Sequence, residues 1–165
     1  MRTFHLAVIL VAGALASSAA PASELDDDAF AKALEGTCIL FEKDDFQRVL
    51  SFSRGGNVTQ VSNQEKSIGY TSGLGTWKRT GADHIRARVI DFEFDLDEGG
   101  PTGVAVVDFD ITLSKEASAQ FQALSGSYSV RSYASGQNPL SPSEAPTRTY
   151  EEAFTGSRVA VPETP

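Results

Sequence analysis

The stretch His84-Ile85-Arg86-Ala87-Arg88-Val89-Ile90-Asp91-Phe92-Glu93-Phe94-Asp95-Leu96 alternates apolar and polar residues over more than ten positions. A period of two is the signature of a half-buried β-strand, because successive side chains leave opposite faces of the pleat. The alternation changes phase once. Ile85, Ala87 and Val89 form one apolar set, and Ile90, Phe92, Phe94 and Leu96 form another. One extra residue at Val89/Ile90, a β-bulge, would bring both sets to the same face. The alternative is an unbulged strand with Arg86 and Arg88 turned inward. The following segment repeats the change, with Val104 and Val106 giving way to Val107, Phe109, Ile111 and Leu113. Paired bulges on neighbouring strands would supply the curvature that closes a sheet.

Working outward, the same period predicts strands near 37–43, 47–54, 57–63, 70–80, 84–96, 103–114, 122–134 and 150–161. Arg54-Gly55-Gly56-Asn57, Thr80-Gly81-Ala82-Asp83 and Asp97-Glu98-Gly99-Gly100-Pro101 supply turn chemistry between them. Short connections imply antiparallel neighbours. An open meander of this length would expose two edges, which closure removes. The expected fold is all-β, an eight-stranded antiparallel up-and-down barrel with one short N-terminal helix. That helix is read in Glu24-Leu25-Asp26-Asp27-Asp28-Ala29-Phe30-Ala31-Lys32-Ala33-Leu34-Glu35-Gly36, where the Asp run caps the N-terminus and Gly36 ends it. Residues 135–148, with three Pro and three Ser, read as a long loop that joins the last two strands and borders one barrel mouth.

Ahead of the helix, Arg2, the apolar run Leu6–Ala16 and Ala20-Pro21-Ala22 have the order of a cleaved signal peptide. The expected organisation is a signal over 1–22, the helix within 23–36, the barrel over 37–161 and a tail over 162–165. The apolar run is about half of the ~20 residues that span a bilayer, so no membrane anchor is expected and the mature chain is expected in the periplasm or secreted.

Composition sets further bounds. Lys plus Arg number 14 against 22 Asp plus Glu, a formal charge of -8, which opposes nucleic-acid binding. One Cys precludes an internal disulfide and a Cys-rich zinc site, and two His make a His-based metal site improbable. Neither a cofactor nor a metal is expected. No nucleophile-elbow, zincin, phosphate-loop or dinucleotide pattern occurs.

Three short segments carry a resemblance. Gly73-Leu74-Gly75-Thr76-Trp77-Lys78-Arg79-Thr80-Gly81, Leu124-Ser125-Gly126-Ser127-Tyr128 and Thr155-Gly156-Ser157-Arg158-Val159 resemble segments of small secreted bacterial barrels of the calycin type, which include lipocalin-like and allene-oxide-cyclase-like barrels. The Arg of the closing strand in lipocalins lies over the barrel's conserved Trp, so the resemblance implies that position for Arg158. Cys38 stands where a lipocalin has Trp, which leaves Trp77 for that part.

The expected interior is apolar and lined by Trp77, Val89, Phe92, Phe109 and Tyr128, with Tyr70 and Tyr133 as further candidates. It would hold a small apolar ligand with at most one polar end, met by Arg86, Arg88 or Arg158. His84 belongs with the two arginines as a small cationic set. The acidic run Asp91, Glu93, Asp95, Asp97 and Glu98, and Asp108 and Asp110 beside it, are read as a solvated face. Cys38, among apolar neighbours, is read as buried and unreactive. Two other functions fit the same residues. One is a barrel-type cyclase or isomerase that shapes a flexible apolar substrate. The other is an inhibitor or immunity protein whose acidic outer surface meets a protein partner.

Overall fold

The computed structural model describes residues 25–115 and 120–160. The signal expected over 1–22 and the tail expected over 162–165 lie outside the described residues. A helix, α1 (Asp27–Leu34), precedes eight strands: β1 (Gly36–Phe41), β2 (Gln47–Phe52), β3 (Asn57–Ser62), β4 (Gly73–Arg79), β5 (His84–Phe94), β6 (Pro101–Ser114), β7 (Ala123–Ala134) and β8 (Arg148–Arg158). Each strand pairs with the next, and β8 returns to β1, so the sheet closes. Every pairing is antiparallel. Closure leaves no sheet edge to attract other chains. The architecture is compatible with a calycin-like barrel.

The expected bulges are absent. β5 and β6 pair without interruption from His84↔Thr112 to Glu93↔Gly103, and the register shifts only between Glu93 and Phe94. Strict alternation therefore carries through Val89. Ile85, Ala87, Val89 and Asp91 are buried inside, while Arg86, Arg88 and Phe92 face outward. Inward-facing glycines mark close approaches between strands. A Cβ on Gly75 would collide with the carbonyl oxygen of Arg88, and one on Gly126 with that of Asp110. At both positions two strands approach too closely for any side chain.

The middle of the barrel is filled by Leu40, Leu50, Val58, Ile85, Val89, Val107, Phe109 and Ile111, each at most 2% exposed. Cys38 belongs to this cluster and is buried, and its thiol is pushed above its ordinary pKa by burial. A smaller apolar cluster, Val104, Val106, Tyr133 and Ile90, lies on the outer wall. Tyr133 therefore does not reach the interior.

The helix plugs one end. Asp26 Oδ1 accepts from the Ala29 amide at 2.7 Å and caps it. Phe30 and Leu34 enter the barrel, and the Phe30 ring meets Phe121 at 5.2 Å and Trp77 at 6.4 Å. Arg158 fastens the plug. Its guanidinium donates to the carbonyls of Ala33, Leu34, Glu35 and Phe121 at 2.7–3.1 Å. Those of Ala33, Leu34 and Glu35 are the orphan acceptors that a helix C-terminus leaves behind, and that of Phe121 lies just before β7. Gly36 makes the room, because a Cβ there would strike the Arg158 guanidinium.

Candidate functional site

The opposite end is built differently. Strand direction alternates, so this end holds the start of β2, β4, β6 and β8 and the finish of β1, β3, β5 and β7. There the inward stripe turns from apolar to polar on four strands. Arg48 precedes Leu50 and Phe52 on β2, and Gln60 and Ser62 follow Val58 on β3. Asp91 and Glu93 follow Val89 on β5, and Ser132 follows Val130 on β7. The loop between β7 and β8 leaves from and returns to this end, as expected for 135–148.

At this end lies a chamber of about 90 Å³ whose walls include Arg48, Ile68, Tyr70, Asp91, Arg148 and Tyr150. A cavity of roughly 150 Å³ accepts a benzene, so this one suits a group of a few heavy atoms.

Two ion pairs frame it. Arg48 Nε donates to Glu42 Oε1 at 2.6 Å, with both side chains at most 3% exposed. Its Nη2 donates to the Tyr128 hydroxyl at 3.1 Å, and that hydroxyl donates to Glu42 Oε2 at 2.7 Å. The Arg48 guanidinium also lies 4.4 Å from the centre of the Tyr128 ring. Burial works against the Arg48 charge, but Tyr128 and Glu42 hold its pKa above the ordinary value. Burial likewise drives the Tyr128 phenol up, beyond what the Arg48 charge offsets. On the far wall, Arg148 Nη2 donates to Glu93 Oε1 at 2.7 Å, and the Ser132 hydroxyl donates to the same oxygen at 2.7 Å.

Between these pairs sits Asp91. It is 3% exposed and lines the chamber, yet its carboxyl makes no hydrogen bond with the described residues. Burial, then the nearby Glu93 and Glu65 charges, outweigh Arg48 and Arg148 and raise its pKa to about 7. The Tyr70 hydroxyl lies near Ser62 without forming a hydrogen bond of ordinary geometry. Gln60 is fully buried with both amide atoms unpartnered. Buried polar groups in folded chains are nearly always satisfied, so the unpartnered Tyr70 hydroxyl and Gln60 amide at the same end as Asp91 are informative.

The residues expected from sequence distribute as follows. Tyr128 and Phe109 face the interior, with ring centres 5.5 Å apart, and Tyr128 meets the Arg48–Glu42 pair of the polar end. Trp77 sits at the helix end, its Nε1 donating to the Ser53 carbonyl at 2.9 Å. Arg158 is there too, engaged with carbonyls. Phe92 is 64% exposed on the outer wall, because no bulge reverses its phase. Arg86 and Arg88 are also outside, paired with Asp110 at 3.1 Å and Asp108 at 2.6 Å. His84 bonds Asp83 and Thr112 beside the β4–β5 turn. The expected wall of Trp77, Val89, Phe92, Phe109 and Tyr128 thus does not form one surface. The acidic run divides as well: Asp91 and Glu93 turn inward, while Asp95 closes the β5–β6 turn by accepting from the amides of Asp97 and Glu98.

A second concavity, about 630 Å³, lies on the outer wall among Thr76, Lys78, Arg86, Arg88, Asp108 and Asp110. Arg86 and Arg88 are paired there with Asp110 and Asp108, and Asp108 also accepts from Arg131 at 2.5 Å. The chamber differs in holding Asp91, a buried carboxyl that makes no hydrogen bond with the described residues. Among the described residues no group of three or more His, Cys, Asp or Glu side chains is placed to hold a metal, and no helix is long and apolar enough to cross a membrane.

Comparison with known proteins finds no matching family model, no matching curated protein and no matching solved structure.

Proposed function

We propose that the chain is an exported, lipocalin-like binding barrel that holds one small molecule at its open end. The molecule's polar head enters the chamber, and its apolar part rests on the rim. The observation that carries this reading is Asp91, a buried carboxyl on a cavity wall with no partner. A charge taken out of water without compensation is costly, and a ligand supplies what the fold withholds. The rim supports the apolar half. Ile68 and Tyr150 border the chamber and are 44% and 39% exposed. Leu96, 52% exposed, packs beside Gly69 next to them. The packed middle of the barrel leaves the ligand's bulk at the mouth. Export rests on the leader-like residues 1–22, and N-terminal sequencing of the exported chain should begin near Ser23.

Native mass spectrometry of protein purified from its own host tests the binding reading. A co-purified small molecule is expected, and it should be lost in Ala105→Leu, which fills the chamber from β6. Protein that carries nothing, or that keeps its adduct in Ala105→Leu, overturns it.

One observation favours a second reading, an acid–base enzyme of the isomerase kind. A carboxyl with a pKa of about 7 is poised to take and return a proton near neutral pH. On that reading Asp91→Asn keeps the ligand and loses turnover.

A further inference from the structure

We infer that the group the chamber accepts is a primary ammonium at the end of an apolar stem, with Asp91 as its counter-ion. The inference rests on the open-end binding reading and adds the charge and shape of the head.

Charge bookkeeping at the site carries it. Arg48 and Arg148 are both already committed to carboxylates, at 2.6 Å to Glu42 and 2.7 Å to Glu93. Asp91 remains as the unpaired charged group of the wall, with Glu65 adding further negative potential from the turn before β4. Glu65 itself accepts from the Ser62 amide and the Ser72 hydroxyl and is held in place. An anionic head would meet Asp91 with no free arginine to receive it. A neutral head would do nothing for the ionised form of Asp91, which a cation stabilises. A cation completes the balance.

Shape and hydrogen-bonding capacity agree. An ammonium has three donors and no acceptor. The chamber offers the two carboxyl oxygens of Asp91, and Tyr70, a residue 9% exposed, lies on the same wall. The rings of Tyr70 and Tyr150 add aromatic faces, which attract cations. A guanidinium or quaternary ammonium is bulkier than the space of about 90 Å³ favours, whereas –CH₂–NH₃⁺ fits. The stem then emerges between Ile68 and Tyr150.

The groups that face Asp91 are Arg48 from β2, Glu65 and Tyr70 from the turn and bridge before β4, Glu93 from β5 itself, and Arg148 with Tyr150 from β8. Binding of a cation demands the ionised carboxylate, so affinity should fall about tenfold per pH unit below the Asp91 pKa of about 7.

The test titrates the full mature chain with n-butylammonium, butan-1-ol and butyrate, three probes of equal stem and different head. The readout is amide chemical shift at Tyr70, Asp91, Glu93 and Arg148. Saturable shifts with n-butylammonium alone, stronger at pH 8 than at pH 6 and lost in a folded Asp91→Asn variant, are expected. Saturation by butan-1-ol or butyrate in its place overturns the ammonium assignment and leaves the binding reading standing. Silence from all three overturns both. An ammonium response that survives Asp91→Asn, or that strengthens toward pH 6, also overturns the assignment. A Phe92→Ser variant, altered on the outer wall, should respond as the parent does.

Discussion

Replacing Asp91 by Asn should remove most of one component of the pH dependence of stability. In the unfolded chain the carboxyl titrates near 3.8, and in the barrel near 7. The folded state therefore prefers the protonated form and holds more protons than the unfolded state between these values. Stability from this group is fully present below about pH 4, falls as pH rises through the window, and levels off above about 7. Three units at about 1.4 kcal/mol each give a loss of about 4 kcal/mol at pH 8 relative to pH 4. Asn carries no charge at any pH, so the variant lacks this slope. It does retain a buried polar group, which costs about 1–3 kcal/mol against an apolar one, much as the protonated acid does. The two proteins should be nearly equal at pH 4, and the variant more stable by up to about 4 kcal/mol at pH 8. For a chain of this size that is on the order of 10 °C in melting temperature.

Calorimetry of ligand-free protein at half-unit steps from pH 4 to 8.5 measures the difference directly. Subtracting the two curves removes the contributions of the carboxylates they share. Parallel curves would mean that Asp91 titrates normally in the fold and that its burial is compensated. A wild-type chain more stable than the variant at pH 8 would mean that Asp91 has a cationic partner in the folded state. Either result removes the physical basis of the proposed site.

Other substitutions test the fold. Phe92→Ser should change stability by less than about 0.5 kcal/mol, since the ring is on the outer wall, while Phe109→Ala in the packed middle should cost about 3–5 kcal/mol in urea unfolding. Arg158→Ala should cost about 3 kcal/mol and lower the helical signal in circular dichroism, because it frees the carbonyls of Ala33, Leu34 and Glu35. Cys38 should resist an aromatic disulfide reagent at pH 8 until denaturant is added, and Cys38→Ser should cost roughly 1–3 kcal/mol.

The strands, their antiparallel order and the closure were legible because period two and turn residues act locally. The capping of α1 was legible for the same reason. The inner face of β5 was misread because Ile90, Phe92 and Phe94 are more hydrophobic than Asp91 and Glu93. A reading that sends every apolar set inward must then invent a bulge. The register shows the simpler outcome, in which apolar side chains remain on the outer wall of the barrel. The signal that would have found the site was present. Arg48, Gln60, Asp91 and Ser132 each continue an inward apolar stripe in phase. Only the antiparallel order shows that these polar positions fall at one end of the molecule. The Arg48–Glu42–Tyr128 arrangement joins residues up to 86 positions apart, so no local pattern could announce it.

The two ends of the barrel differ in how they treat polar groups. At the helix end Arg158 is met by four carbonyls and the Trp77 indole by the Ser53 carbonyl. At the open end the Tyr70 hydroxyl and the Gln60 amide are buried and unpartnered, and the Asp91 carboxyl on the chamber wall makes no hydrogen bond with the described residues. Neither closure nor packing calls for those residues, since Leu or Val at Asp91 would extend the apolar stripe of β5 and stabilise the barrel. Departures from local consistency that cost stability and gather in one place are the mark of a functional site. Scattered, they would read as tolerated imperfections. Gathered beside a cavity, with both neighbouring arginines already neutralised, they describe a surface finished only when a ligand is bound. Chemical shifts at Asp91 and Tyr70 should therefore move on binding while those around Arg158 stay fixed.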